Sequence, residues 1–263
     1  MRDFPEKNLN YPVLIKNKSN SGSGFYLIYK EKEYLITAKH VLFDKNNNLL
    51  SDSIQLISYF GEDKCSLRTN LEINKNTFFS KDYDIAFVLI ASLEKISEGK
   101  FNSIFEKTIK NEGVNTSNIV ALPEEAIKKY ENSLVGNEVF VMGFPVSIGN
   151  PKDNQINYEK PLLKKGIVAG KNDIKRTIII DSAIHFGNSG GLVIEVEKVM
   201  GGTNHSGIGI ISEYVPFIDI LESKKYGYNN VSIENSGYSV VVPIDTIEKL
   251  IKDATEPFQI KSK

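Results

Sequence analysis

The stretch Asp181-Ser182-Ala183-Ile184-His185-Phe186-Gly187-Asn188-Ser189-Gly190-Gly191-Leu192-Val193 decides how the rest of the chain is read. Its serine sits among small residues, so the backbone can turn sharply, present the hydroxyl and aim successive N–H groups at one point. The residues that follow, Leu192-Val193-Ile194, have strand character. A serine on a tight turn that leads into a strand is compatible with few reactive folds. In isolation it is equally a Gly-rich turn whose serine bonds only its own backbone, so the remainder of the chain has to arbitrate.

Chain order supplies the test. Gly187-x-Ser189-x-Gly191 also fits the nucleophile elbow of α/β-hydrolases, which needs Ser, then Asp or Glu, then His, and an immediate helix. Downstream of Ser189 the only histidine is His205, and no helical pattern follows. The subtilisin order needs an aspartate well before the histidine, and only Asp3 precedes His40. His185 lies on the same loop as Ser189, which leaves little room for a preorganised base. The order His, Asp, Ser remains.

Working outward, short apolar runs recur with Asn, Gly, Ser and Lys between them. They predict strands at 12–16, 24–30, 33–38, 54–60, 65–72 and 84–91, then at 137–143, 163–169, 176–181, 191–196, 207–214 and 237–243. Twelve short strands in two groups of six predict an all-β pair of barrels or sandwiches rather than βαβ units. Between the groups, Leu93 to Phe105 and Glu124 to Tyr130 have helix-forming composition. The expected division is a barrel over 1–92, a partly helical connection over 93–134, and a second barrel with a terminal helix over 135–263. That helix follows Pro243, where Asp245 or Thr246 can cap and Ile247, Leu250 and Ile251 form a stripe. Glu197 to Ser206 reads as an extended loop around Gly201-Gly202.

Composition narrows the function classes. The 263 residues are 41% hydrophobic and 25% charged, with 32 basic against 33 acidic side chains and a net charge of -1. Such a balance gives no reason to expect nucleic acid or an anionic membrane as partner. The lone cysteine, Cys65, cannot form an internal disulfide, which points to a reducing compartment. The N-terminal stretch lacks the apolar run of a signal peptide, and with Met1 as the start the expected location is cytoplasmic. The histidines and the cysteine show no paired ligand spacing, so neither metal nor cofactor is expected.

His40 follows the apolar run Tyr34-Leu35-Ile36-Thr37-Ala38-Lys39 and Asp84 opens the run Ile85-Ala86-Phe87-Val88. A carboxylate at the mouth of such a run is desolvated and tolerable only with a firm hydrogen-bond partner. An imidazole N–H is such a partner, and the bond fixes the tautomer.

These residues carry a resemblance. The chain resembles the chymotrypsin/trypsin superfamily, and within it the bacterial high-temperature-requirement-like branch, without a PDZ domain. The matching residues are Gly22-Ser23-Gly24-Phe25, Ile36-Thr37-Ala38-Lys39-His40-Val41, Asp84-Ile85-Ala86, Val141-Met142-Gly143-Phe144-Pro145 and Gly187-Asn188-Ser189-Gly190-Gly191. Gly209-Ile210-Ile211-Ser212 and Val241-Val242-Pro243 add to them, so the match spans about residues 22–251 in order.

The resemblance implies two six-stranded antiparallel β-barrels with a cleft between them and a serine endopeptidase activity on polypeptide substrates. His40, Asp84 and Ser189 would form the catalytic triad, and the N–H groups of Gly187 and Ser189 the oxyanion hole. Ser212 matches a position that supports the triad aspartate and begins the substrate-binding strand, with Glu213 and Tyr214 next. Ala183 would lie at the base of the primary pocket, with His185 at its rim. An uncharged base and a bulky Tyr214 favour small or medium apolar side chains at the cleaved residue. A chain without an activation peptide implies control through loop order and a regulatory protein partner or ligand. Two other readings share these letters: a catalytically silent binding or sensor module, and an esterase or acyltransferase.

Overall fold

The computed structural model describes residues 4–18, 20–60, 65–73, 76–97, 100–105, 109–110, 120–149, 155–223, 225 and 227–255. The first part of the chain forms Pro12–Lys16 (β1), Ser21–Tyr29 (β2), Lys32–Thr37 (β3), a short helix Lys39–Leu42 (α1), Ser53–Phe60 (β4) and Cys65–Glu72 (β5). Thr77–Phe79 (β6), Ala86–Ser97 (β7), Lys100–Phe105 (β8), Ile109–Lys110 (β9) and Ala121–Leu122 (β10) follow. The second part forms Glu138–Gly143 (β11), Leu162–Asn172 (β12), Thr177–Asp181 (β13), Leu192–Val199 (β14), Gly202–Ser223 (β15), Tyr228–Pro243 (β16) and the helix Asp245–Thr255 (α2).

The architecture is all-β with two sheets and a C-terminal helix. The first sheet departs from the six-stranded barrel expected for it. Its 10 strands run β6-β7-β3-β2-β1-β4-β5-β9, with β8 added beside β7 and β10 beside β2, and among the described residues no pairing joins its two ends. In the second sheet the pairing runs round through β11-β12-β13-β16-β15-β14 and back to β11.

Within Leu93 to Phe105 the described residues are strand, not helix. β7 continues to Ser97 and β8 folds back on it antiparallel, with Ala91 opposite Phe105 and Leu93 opposite Ser103. A sheet edge offers an extended chain a full ladder of backbone partners, and that outweighs a modest helix propensity. Glu124 to Tyr130 holds only a single 3-10 turn, Glu124–Ala126, with another at Tyr130–Asn132. The rest of that connection between 106 and 119, apart from β9, lies outside the described residues. Glu197 to Ser206 is likewise no open loop: β14 and β15 stay paired through it until Val199 faces Gly202.

The two sheets share a core because β11 and β14 of the second sheet are buried on both faces. Along β11, Val139 and Val141 point into the closed sheet, while Phe140 and Met142 join the cluster of the first sheet. Along β14, Val193 points inward and Leu192, Ile194 and Val196 point across. This is the period-2 alternation of a strand with apolar surroundings on both sides, and it explains the unbroken apolar runs. Ile247 and Ile251 of α2 seal the same cluster. Among the described residues no helix is long and apolar enough to cross a membrane.

One buried charge ties the connection to the second sheet. Glu195 is 1% exposed and accepts from Lys128 Nζ at 2.8 Å, Ser133 Oγ at 2.7 Å, Asn137 Nδ2 at 2.6 Å and the Leu134 N–H at 3.3 Å. Removing one partner of such a cluster strands the others in a desolvated site. Glu195→Ala is expected to lower the unfolding free energy by about 3–5 kcal/mol, measured by urea denaturation.

Candidate active site

The site is assembled where the two sheets face each other. His40 is the second residue of α1, directly after β3, and Asp84 ends the loop before β7. That loop is tied by its own hydrogen bonds: Ser80 Oγ accepts from the Asp82 and Tyr83 N–H groups at 3.2 Å each, and the Ser80 N–H donates to the Ile85 carbonyl at 3.0 Å. The Asp84 carboxylate then grips His40 twice. Its Oδ1 accepts from the His40 backbone N–H at 3.1 Å, and its Oδ2 faces His40 Nδ1 at 2.8 Å. Ser212 Oγ, on β15, donates to the same Oδ2 at 2.7 Å. With the carboxylate ionised, Nδ1 is the donor and Nε2 is left with a free lone pair.

The electrostatics agree with this geometry. Burial pushes the Asp84 carboxyl up, but the hydrogen bonds from His40 and Ser212 and the His40 charge together bring it below its ordinary value. The His40 imidazole is raised, first by its hydrogen bond to Asp84 against the effect of burial, then by the negative charges of Asp84 and Glu213. His185 moves the other way, lowered by burial and by the charge of Lys164.

Ser189 stands on a loop whose carbonyls are all occupied. The Ser182 carbonyl accepts from Ser239 Oγ at 2.7 Å, that of Ala183 from Lys164 Nζ, and that of Ile184 from Asn235 Nδ2 at 2.7 Å. The His185 carbonyl takes the Asn188 N–H at 3.0 Å, Phe186 takes Ser147 Oγ at 3.2 Å, and Gly187 takes Ser23 Oγ at 2.6 Å. The same Ser23 oxygen accepts the Phe144 N–H at 2.9 Å, and the Ser23 N–H donates to the Ser189 carbonyl at 2.8 Å. Among the described residues the N–H groups of Gly187 and Ser189 have no acceptor.

Two glycines make this loop geometrically feasible. Gly187 has φ +99° and Gly190 φ +82°, a region that side chains disfavour. A Cβ on Gly187 would collide with the Phe144 carbonyl, and one on Gly190 with the Ser23 carbonyl and Thr37 Oγ1. At Gly190 the second sheet therefore rests directly on the backbone of the first.

A cleft of about 640 Å³ holds His40, Asp84, Gly187, Ser189, His185, Ser212, Glu213 and Tyr214. The Ser189 hydroxyl donates to the Ser212 carbonyl at 3.4 Å, not to the His40 ring. Ala183 does not line the cleft; Ile184 and Val146 do. Sequence reasoning passed over Ile184, Val146 and Phe186 as lining residues, and Ser23, Lys164, Asn235 and Ser239 as loop anchors. Ser23 alone left a trace, in the Gly22-Ser23-Gly24 run.

A family model described as a trypsin-like peptidase domain matches residues 22–202. The chain belongs to the trypsin-like peptidase family. In fold this peptidase domain is similar to the HtrA-type protease AlgW, solved with a tripeptide, at TM-score 0.52 and 17% identity over 96% of this chain and 64% of that one. It is also similar to the thermostable serine protease AL20 from an extremophilic microorganism, at TM-score 0.52 and 14% identity over 94% and 97% of the two chains. Protease Anisep from Arthrobacter nicotinovorans gives TM-score 0.51 and 14% identity over 93% and 94%. Comparison with curated proteins gave no match.

Ser23 offers a direct test of the loop. Ser23→Ala leaves the buried Phe144 N–H and the Gly187 carbonyl without their partner. It is expected to cost about 1–3 kcal/mol of stability in urea denaturation.

Proposed function

We propose that the domain is a serine endopeptidase of the HtrA-like branch in which His40, Asp84 and Ser189 act as a triad. What carries the reading is the double grip of Asp84 on His40 in the same cleft as a serine whose loop carbonyls are all tethered. Ser189 Oγ attacks the scissile carbonyl while its proton passes to His40 Nε2. The carbonyl electrons move onto the oxygen, which the N–H groups of Gly187 and Ser189 receive. Collapse breaks the C–N bond, and His40 hands its proton to the departing amine. Water then repeats the sequence on the acyl-enzyme.

Asp84 holds the tautomer and offsets the imidazolium charge, and Ser212 steadies Asp84. The hydroxyl's contact with the Ser212 carbonyl, at 3.4 Å, lies at the outer limit of a hydrogen bond and holds it only weakly away from His40. The substrate is an extended polypeptide, with Ile184, His185 and Tyr214 shaping the primary pocket for a small or medium apolar side chain. Because the loop is already tied down, control by a partner or ligand would act on access to the cleft.

A fluorophosphonate probe is expected to label the wild type and not Ser189→Ala; absence of wild-type labelling would favour the silent module. On unfolded casein, Ser189→Ala should lower kcat by about 10⁶ and Asp84→Asn by about 10⁴, the magnitudes known for this class of site. Faster turnover of small esters than of peptides would favour the esterase.

The pH profile follows from the His40 shift. The base works only when neutral, and its pKa is raised, so kcat/KM should climb with a midpoint above the ordinary imidazole value of about 6.5. Glu213→Gln removes one of the negative charges behind the shift, and should bring the midpoint down without abolishing activity.

A further inference from the structure

The strand that carries Ser212 does not stop at the cleft. β14 leaves its side at the Leu192–Ile210 pair, while β15 runs on to Ser223 with only β16 beside it. From Ser212 onward, among the described residues, no strand occupies that edge. Eleven further residue steps at about 3.3 Å give an open edge of about 36 Å. The two strands form a ribbon, with Ile218 opposite Ile233 and Ile220 opposite Val231.

The ribbon is apolar where a soluble surface is normally polar. On β15, Phe217, Ile218, Ile220 and Leu221 are 54–59% exposed, and they fall on both faces of the strand. Behind Ile218 and Ile220, the cross-strand partners Ile233 and Val231 extend one face. An isolated two-stranded ribbon is marginal in water, and an unpaired edge with apolar flanks invites a third strand.

We propose that this open β15 edge is an exosite for the substrate polypeptide, which adds as a third strand upstream of the cleaved bond. The inference rests on the protease reading of the site. Direction follows from the cleft: on one side of Ser212 the edge is taken by β14, so an extended chain lying beside Ser212 has room only towards Ser223. An antiparallel strand there places the residues on the acyl side of the cleaved bond along the ribbon. Its alternate side chains then pack beside Ile218 and Ile220 on one face, and beside Phe217 and Leu221 on the other. Pro216 withholds a backbone donor at one step, so the ladder is interrupted there and resumes beyond. Asp219, Glu222 and Glu234 on the ribbon and Glu213 in the cleft outnumber the basic Lys225 at the ribbon's turn and set the charge preference. The favoured partner is an unfolded segment rich in apolar residues, with basic and not acidic residues among them. This is β-strand addition, in which backbone bonds give affinity and side-chain contacts give selection.

The test uses two fluorogenic peptides identical around the cleaved bond. One ends three residues upstream; the other continues for about ten more, alternating apolar and uncharged residues. The wild type is expected to favour the long peptide by about tenfold to a hundredfold in kcat/KM, from partial burial of a few apolar side chains. Ile218→Thr/Ile220→Thr keeps β-forming residues on the strand. It should reduce that advantage to within about threefold while leaving the short peptide unchanged, which also shows that the variant is folded. Acidic residues in the extension should weaken it.

Equal rates for the two wild-type peptides, or an advantage that survives the double substitution, would overturn the exosite. So would a dimer by light scattering that the substitution dissolves, or flotation of the wild type but not the variant with phosphatidylcholine vesicles. Binding of the long peptide to Ser189→Ala, read by fluorescence anisotropy, separates the two ideas. Binding that depends on Ile218 and Ile220 without any cleavage by the wild type supports the ribbon and sinks the protease reading. No binding, with cleavage intact, does the reverse.

Discussion

Each backbone carbonyl from Ser182 to Gly187 is held by a partner drawn from around the loop: Ser239, Lys164, Asn235, Asn188, Ser147 and Ser23. A peptide plane has two ends, and fixing each carbonyl fixes where the next N–H points. The Gly187 N–H is therefore set by the bond the Phe186 carbonyl takes from Ser147 Oγ, and the Ser189 N–H by the bond the Asn188 carbonyl takes from the Gly191 N–H. In the proposed reading, donors fixed in this way need no rearrangement when charge develops on the scissile carbonyl. Ser23 matters most among the anchors, because it belongs to the first sheet and bonds Gly187, Ser189 and Phe144 at once.

The same juxtaposition of sheets governs His40. Its ring is oriented from the first sheet by Asp84, while Ser212 of the second sheet holds the same carboxylate oxygen. Burial alone would favour the neutral acid, and the clustered donors reverse that. Gly190, with no side chain, lets the two backbones approach closely enough for this shared bonding. Moving the sheets apart by the width of a methyl group would disturb the loop and the carboxylate together.

Much of the fold was legible because the strands between the sheets are buried on both faces and read as plain apolar runs, as in Val139 to Met142 and Leu192 to Ile194. Leu93 to Phe105 misled for the opposite reason. Its side chains are compatible with a helix, and only the pairing of β7 with β8 makes it extended. The lengths of β15 and β16 were hidden as well. Pro216 and Gly237 look like stops, yet the two strands support each other past both, with shifts of register near Tyr214 and Pro216.

Residue types and their order along the chain determined by themselves the class of fold, the His40, Asp84 and Ser189 candidates and the tight turn at Gly187 to Gly191. Those features depend on local chemistry: β-branched runs, small residues at a sharp turn, a carboxylate opening an apolar strand. The tertiary structure alone decided that Ser23 anchors the loop, that the Ala183 carbonyl accepts from Lys164, that no pairing among the described residues closes the first sheet, and that the strand through Ser212 extends into an apolar ribbon. Each of these is a contact between residues far apart in the chain, set by how two sheets pack, and packing distance is not written in the order of the letters.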